Sequence, residues 1–240
     1  MTIIYLILTT ERCVKMKNMY LKFGFTLAEV LITLGIIGIV AAITIPGLIN
    51  TNKAHKLHAQ FLKTFSTLQQ AFKLMENDDI SMDPNTYGRR EFCDNILSKY
   101  LTGATICGNS NSAPCYKING GKPYKTLSGK NISTIYLDDG QVLLKDGTLL
   151  MCESSGHAWE TWISADINGY NTPPNIWGYD LFTFHFVDGE LRTMGDLKTQ
   201  YQAEKDSLCD LNGKSALNGI TCALKAKNDP EYFKRIVKMH

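Results

Sequence analysis

Glu29 is the one ionisable side chain between Phe25 and Ile45, a run of 21 residues. A carboxylate in so apolar a stretch points to pairing rather than turnover. Inside a membrane segment it costs at least ~2.5–3.5 kcal/mol, so it needs a partner. A second group of oxygen donors lies far downstream. Asp166 and Asn168 stand two residues apart, as at the start of a calcium loop, and Asp180 can close such a site. The stretch lacks the spacing and the terminal glutamate of an EF-hand, and Asp and Asn also cap turns without a metal. A turn network is therefore the preferred reading, with calcium at Asp166, Asn168 and Asp180 as its alternative and no other cofactor expected. His157 has Glu153 and Glu160 nearby, but acidic neighbours of one histidine do not specify catalysis, and His55 and His58, which share a helical face, read as solvent-facing polar residues rather than metal ligands. With no GxSxG, HExxH or phosphate-loop pattern, no catalytic residue is assigned and the chain reads as a non-enzyme.

The elements that must carry these residues follow from hydrophobic periodicity. Phe25 to Ile45 is apolar on every face and, at helical rise, spans about 31 Å, enough to cross a hydrocarbon core of roughly 30 Å. After Pro46 the pattern becomes amphipathic. Ala54, Leu57, Phe61, Phe65, Leu68, Phe72 and Met75 recur every three or four residues, while Lys53, Lys56, Lys63, Gln69 and Lys73 fill other faces. One long helix from Phe25 to about Glu76 is expected, kinked or loosened at Pro46, where a backbone donor is missing. A short helix over 91–101 follows, then a connection from Gly103 to Lys130 rich in Gly, Asn, Ser and Pro. Strands are expected at 132–137, 141–144, 148–152, 159–163, 181–187 and 190–194, several of them separated by Asp-Gly turns. The result is an α+β fold, an antiparallel meander with one face covered by the second half of the long helix. Trp159, Trp162 and Trp177 read as buried packing rather than a carbohydrate or partner surface. A basic helix closes the chain at 232–238.

The segment Lys22-Phe23-Gly24-Phe25-Thr26-Leu27-Ala28-Glu29-Val30, with Gly38 and Pro46 beyond it, resembles the N-terminal signature of type IV pilins and of type II secretion pseudopilins. The resemblance covers residues 22 to about 57. It implies cleavage by a prepilin peptidase between Gly24 and Phe25, N-methylation of the new Phe25 amine, and a Glu29 that faces the amine of a neighbouring subunit. The physics is compatible, since an ammonium at Phe25 can neutralise a Glu29 carboxylate of another chain where an unpaired charge is costly. The glycine precedes the apolar run, so that run stays with the mature protein, unlike a conventional secretory signal. The implied fold is pilin-like, a long helix against an antiparallel sheet.

Together these readings divide the chain into a leader (1–24, with its true start at Met16 or Met19), a transmembrane and assembly helix (25–45), the amphipathic half of the helix (46–76) and a globular head (77–240). Lys15, Lys17 and Lys22 favour a cytoplasmic N-terminus, hence a single pass through the inner membrane with the head outside the cytoplasm. Of 25 basic and 23 acidic residues, the leader holds four and one, so the mature part is near neutral and carries no basic field for nucleic acid. Of the seven cysteines, Cys13 lies in the leader, and the even remainder suits an oxidising compartment. Six cysteines admit fifteen pairings. The short loops favour Cys107–Cys115 and Cys209–Cys222, leaving Cys93–Cys152. The expected function is a structural subunit of a type IV pilus or pseudopilus, whose partners are other pilin subunits, prepilin peptidase and the inner-membrane assembly machinery. An anchored extracytoplasmic binding or hydrolytic domain is the alternative.

Overall fold

Helix α1 (Leu27–Asn77) carries both the apolar run and the amphipathic stripe. The structure is a computed structural model that describes residues 25–83, 86–88, 90–107, 114–154 and 161–239. The leader with Gly24, together with His157, Trp159 and Glu160, lies outside the described residues. Pro46 is within α1, where its nitrogen has no proton to offer the Ala42 carbonyl. The chain divides between Ile45 and Pro46 into two compact units. In the first, side chains on all sides of the helix are exposed, from Phe25 and Leu31 to Ile43. Among the described residues α1 is the one helix long and apolar enough to cross a membrane.

The second unit is built on a six-stranded antiparallel sheet in sequence order: β1 (Thr105–Ile106), β2 (Gln141–Leu143), β3 (Leu149–Ser154), β4 (Thr161–Asp166), β5 (Leu181–Val187) and β6 (Glu190–Thr193). Asp188 and Gly189, both with positive φ, make the tight β5–β6 turn, a geometry that suits Asp-Gly and matches strand twist. Strand register places Val142, Leu150, Ala165 and Phe182 in one cross-strand row, with Cys152, Ile163 and Phe184 in the next. The stripe on α1 packs on this face. The Phe61 ring meets Phe182 at 4.9 Å, Phe65 stacks on Phe184 at 5.5 Å, and Phe72 stacks on Phe186 at 4.7 Å. The helix Tyr232–Met239 adds Phe233 beside Phe61 and His58, so His58 is half-buried in a ring stack rather than solvent-facing.

The opposite face is covered too, which an alternating strand pattern does not announce. Leu149, Met151, Trp162 and Leu181 lie beneath Tyr116, Tyr124, Trp177, Met194 and Ile220. The Gln141 side chain makes paired bonds with the Tyr116 backbone at 3.0 and 3.1 Å and so straps the 116 segment to the sheet. Ser164 and Thr183 satisfy one another at 2.7 Å, and Trp177 Nε1 donates to the Thr183 hydroxyl at 3.0 Å. Trp162 and Trp177 are therefore packing residues.

Two expectations are corrected. Residues 132–137 are not a strand. Ile132 N–H bonds the Tyr124 carbonyl, and the Tyr136 and Leu137 N–H groups turn back onto Ser133 and Thr134, leaving a 3₁₀ turn at Thr134–Tyr136. Residues 92–100 form a π turn and a 3₁₀ turn, not an α-helix. Three disulfides, Cys93–Cys152, Cys107–Cys115 and Cys209–Cys222, tie irregular segments to the sheet and to the helix Cys222–Asn228.

Phe61 is fully buried among three rings. Phe61→Ala should lower stability by ~3–5 kcal/mol in urea unfolding of the detergent-solubilised chain. A loss below about 1 kcal/mol would mean that this helix–sheet interface does not hold the head together.

Candidate functional site

An α-helix leaves its first four N–H groups without intrahelical acceptors. At the start of α1 two residues answer this reciprocally. The Thr26 hydroxyl accepts the Glu29 N–H at 3.2 Å, while Glu29 Oε2 accepts both the Thr26 N–H and the Thr26 hydroxyl proton at 2.8 Å. This is the Thr-x-x-Glu capping box, with the carboxylate at the positive end of the helix dipole. Glu29 thus has donors within its own chain, next to Phe25, whose side chain is 87% exposed. The signal is local, Thr26-Leu27-Ala28-Glu29, but the lone charge of Glu29 by itself does not point to the hydroxyl three residues before it.

The oxygen-rich loop after β4 is organised by two carboxylates. Asp166 Oδ1 accepts the N–H groups of Asn168 at 3.3 Å and Gly169 at 2.8 Å, and its Oδ2 takes the Tyr124 hydroxyl at 2.7 Å. Asp180 Oδ2 accepts the Asn175 N–H at 2.9 Å, and its Oδ1 the Ile176 N–H at 2.6 Å. Gly169 has φ +83° and an ideal Cβ there would lie 2.5 Å from the Gly147 carbonyl, so the turn requires glycine. Both carboxylates are buried. Desolvation, reinforced by Asp180, holds Asp166 well above the usual carboxylate range, and desolvation raises Asp180 as well. Asn168 donates to the Thr172 carbonyl at 3.0 Å, and its own carbonyl oxygen has no bonded partner. All four carboxylate oxygens of the pair already hold proton donors, so the arrangement works as a loop clamp as it stands. A calcium ion would have to compete with those donors.

Two further groups were not anticipated. Asp138, Asp139 and Glu153 each bring a ligand oxygen within 4.8 Å of the others, while Asp139 also accepts the Ser154 N–H at 3.1 Å. His185 lies across the strands from Trp162 and Arg192. Its Nδ1 accepts the Gln200 N–H at 3.3 Å, and burial pushes its pKa down to about 4.

With this geometry in hand, comparison with known proteins bears on one region. Residues 19–45 match the prokaryotic N-terminal methylation motif. That motif is the type IV pilin and pseudopilin signature, and it spans Gly24, Phe25, the capping box and the apolar run. The match covers 27 of the 240 residues, and together with the apolar helix it supports a pilin-like N-terminal segment and single-pass membrane anchoring. Neither a curated protein nor a solved structure matches the chain.

Opposed pH slopes follow from the buried groups. His185 has a folded pKa below its ordinary 6.5, so its contribution is present above pH 6.5 and is lost as pH falls towards 4. The Asp166–Asp180 pair is raised, so its contribution is present in acid and is lost as pH rises above the ordinary value of 3.8. Asp166→Asn, which keeps an acceptor for the loop, removes one of the two raised carboxyls and should make stability fall less steeply as pH rises from 4 to 8. His185→Gln should leave stability falling as pH rises. Unchanged profiles in thermal melts from pH 4 to 8 would contradict both assignments. Added calcium should not give the ~2.7 kcal/mol gain expected of a ligand at a hundred times its Kd.

Proposed function

We propose that this chain is a structural subunit of a type IV pilus or type II secretion pseudopilus, cut after Gly24 and assembled through residues 25–45, and that it has no enzymatic role. The observation that carries this reading is the placement of Glu29. It is the lone charge of an exposed apolar helix, set at the helix start, one turn from the residue that cleavage would make the terminus. Prepilin peptidase and the inner-membrane assembly machinery are the implied partners besides other pilin-like subunits, and the head lies outside the cytoplasm.

The assembly step follows from the same residues. Cleavage frees an α-amine on Phe25, one residue before the Thr26 donors. In a lone subunit the capping box supplies the donors for Glu29. In a filament the Phe25 amine of a neighbour adds a full positive charge, which a low-dielectric bundle rewards far more than a neutral hydroxyl does. Apolar contacts between helices merely replace contacts with lipid and favour association little. The charge pair therefore sets axial register while the apolar surface keeps helices in the bundle.

Glu29→Ala should leave cleavage after Gly24 intact and abolish filament assembly in a complementation assay. Thr26→Ala should also be cut, but it removes a donor from the unassembled subunit and should reduce its amount in the membrane. Mass spectrometry of the mature protein should find a methylated Phe25 terminus in both variants. Normal filaments from Glu29→Ala, or a wild-type protein that keeps its leader, would overturn the proposal.

A further inference from the structure

Four asparagines of this chain, Asn119, Asn168, Asn212 and Asn218, stand directly before a glycine. In such a pair the glycine backbone nitrogen can attack the asparagine side-chain carbonyl, because no Cβ obstructs the approach. Three of the four nitrogens are held. The Gly169 N–H donates to Asp166 Oδ1 at 2.8 Å, the Gly213 N–H to the Asp210 carbonyl at 3.0 Å and the Gly219 N–H to the Leu208 carbonyl at 2.6 Å. Two of the asparagine amides are engaged as well. Asn168 donates to the Thr172 carbonyl at 3.0 Å, and Asn218, fully buried, donates to the Asp210 carbonyl at 2.6 Å. The fourth pair differs. Among the described residues neither the Gly120 N–H nor the Asn119 side chain has a hydrogen-bond partner, and both residues are exposed. Gly120 has φ +83°, and an ideal Cβ there would meet nothing within 4 Å.

We propose that Asn119 is a site of spontaneous, enzyme-free deamidation, set apart from the other three by its free nucleophile and not by its dipeptide. The Gly120 nitrogen gives its proton to solvent and attacks Asn119 Cγ. A carbon–nitrogen bond forms, the Cγ–Nδ2 bond breaks, and Nδ2 leaves as ammonia. Water then opens the cyclic imide at either carbonyl, leaving aspartate or isoaspartate at position 119. One amide and one water thus give one carboxylic acid and one ammonia, with no oxidant or metal. At the other three pairs the N–H must first be freed by local opening, which slows the same reaction. The backbone on either side of the pair is anchored. The Gln141 side chain straps Tyr116, and the Tyr170 hydroxyl donates to the Lys122 carbonyl at 3.0 Å. Gly121 has no room to spare, since a Cβ there would lie 2.4 Å from the Lys117 carbonyl oxygen. Isoaspartate lengthens the backbone between these anchors by one carbon, whereas aspartate adds only a charge. The inference rests on the head alone, and on neither membrane anchoring nor filament formation.

The test holds the full, detergent-solubilised chain at mildly alkaline pH in water enriched in heavy oxygen and follows all four asparagines by peptide mass spectrometry. The peptide carrying Asn119 should deamidate, with uptake of heavy oxygen, at least about tenfold faster than the other three, a barrier difference of ~1.4 kcal/mol. Part of its product should accept a methyl group from an isoaspartate methyltransferase. In guanidinium chloride with the disulfides reduced, the three protected asparagines should speed up towards the rate of Asn119. Asn119→Gln should remove the fast reaction from the folded chain. Equal rates in the folded chain, a faster reaction at Asn168, Asn212 or Asn218, or a preference for Asn119 that persists unchanged in the denaturant would overturn the proposal.

Discussion

A carboxylate in an apolar helix must be given donors or a counter-charge in every environment the helix visits, and this requirement organises the start of α1. Glu29 lies at the one place where a helix has proton donors to spare. Thr26 turns that position into a closed capping box, and the helix dipole adds a partial positive charge. The same placement leaves the carboxylate one turn from Phe25. A group that can be satisfied at home, yet is better satisfied by a full charge next door, suits the assembly step proposed above.

The head answers a different problem. Its sheet has many short strands and long connections, so much backbone lies outside regular structure. The aromatic row on α1 closes one face, and the loops fold over the other. Where loops cross the sheet their polar groups are paired: Gln141 with the Tyr116 backbone, Ser164 with Thr183, and the Asp166–Asp180 clamp with the loop after β4. Three disulfides hold segments that have little periodic packing of their own. Covering both faces explains why β3 and β4 are buried along their whole length.

What could be read in advance follows from which signals are local. The period of the α1 stripe, the Asp188-Gly189 turn and the strand at 181–187 are written in consecutive residues, and they appear in the structure at nearly the expected bounds. The cover over the second sheet face depends on where Tyr116, Trp177 and Ile220 are brought from distant parts of the chain, and no local pattern states that. The two-residue strand β1 is too short to show alternation. Ile132 to Leu137 has strand-like composition, but its N–H groups are used locally. At the candidate site, Glu29 stood out by charge, whereas Thr26 did not, because a single hydroxyl is unremarkable until its partner three residues on is considered. The Asp166 and Asp180 loop was recognised by oxygen spacing, and only the geometry shows each oxygen holding the loop's own donors.

The most direct measurement of the central claim is zero-length carbodiimide crosslinking of assembled filaments made from a mixture of isotopically light and heavy subunits. The account predicts an amide between the Phe25 nitrogen of one subunit and the Glu29 side chain of another, seen as mixed light–heavy peptide pairs and absent from unassembled membranes. Filaments in which Glu29 stays unlinked, or is joined only to groups of its own chain, would contradict it.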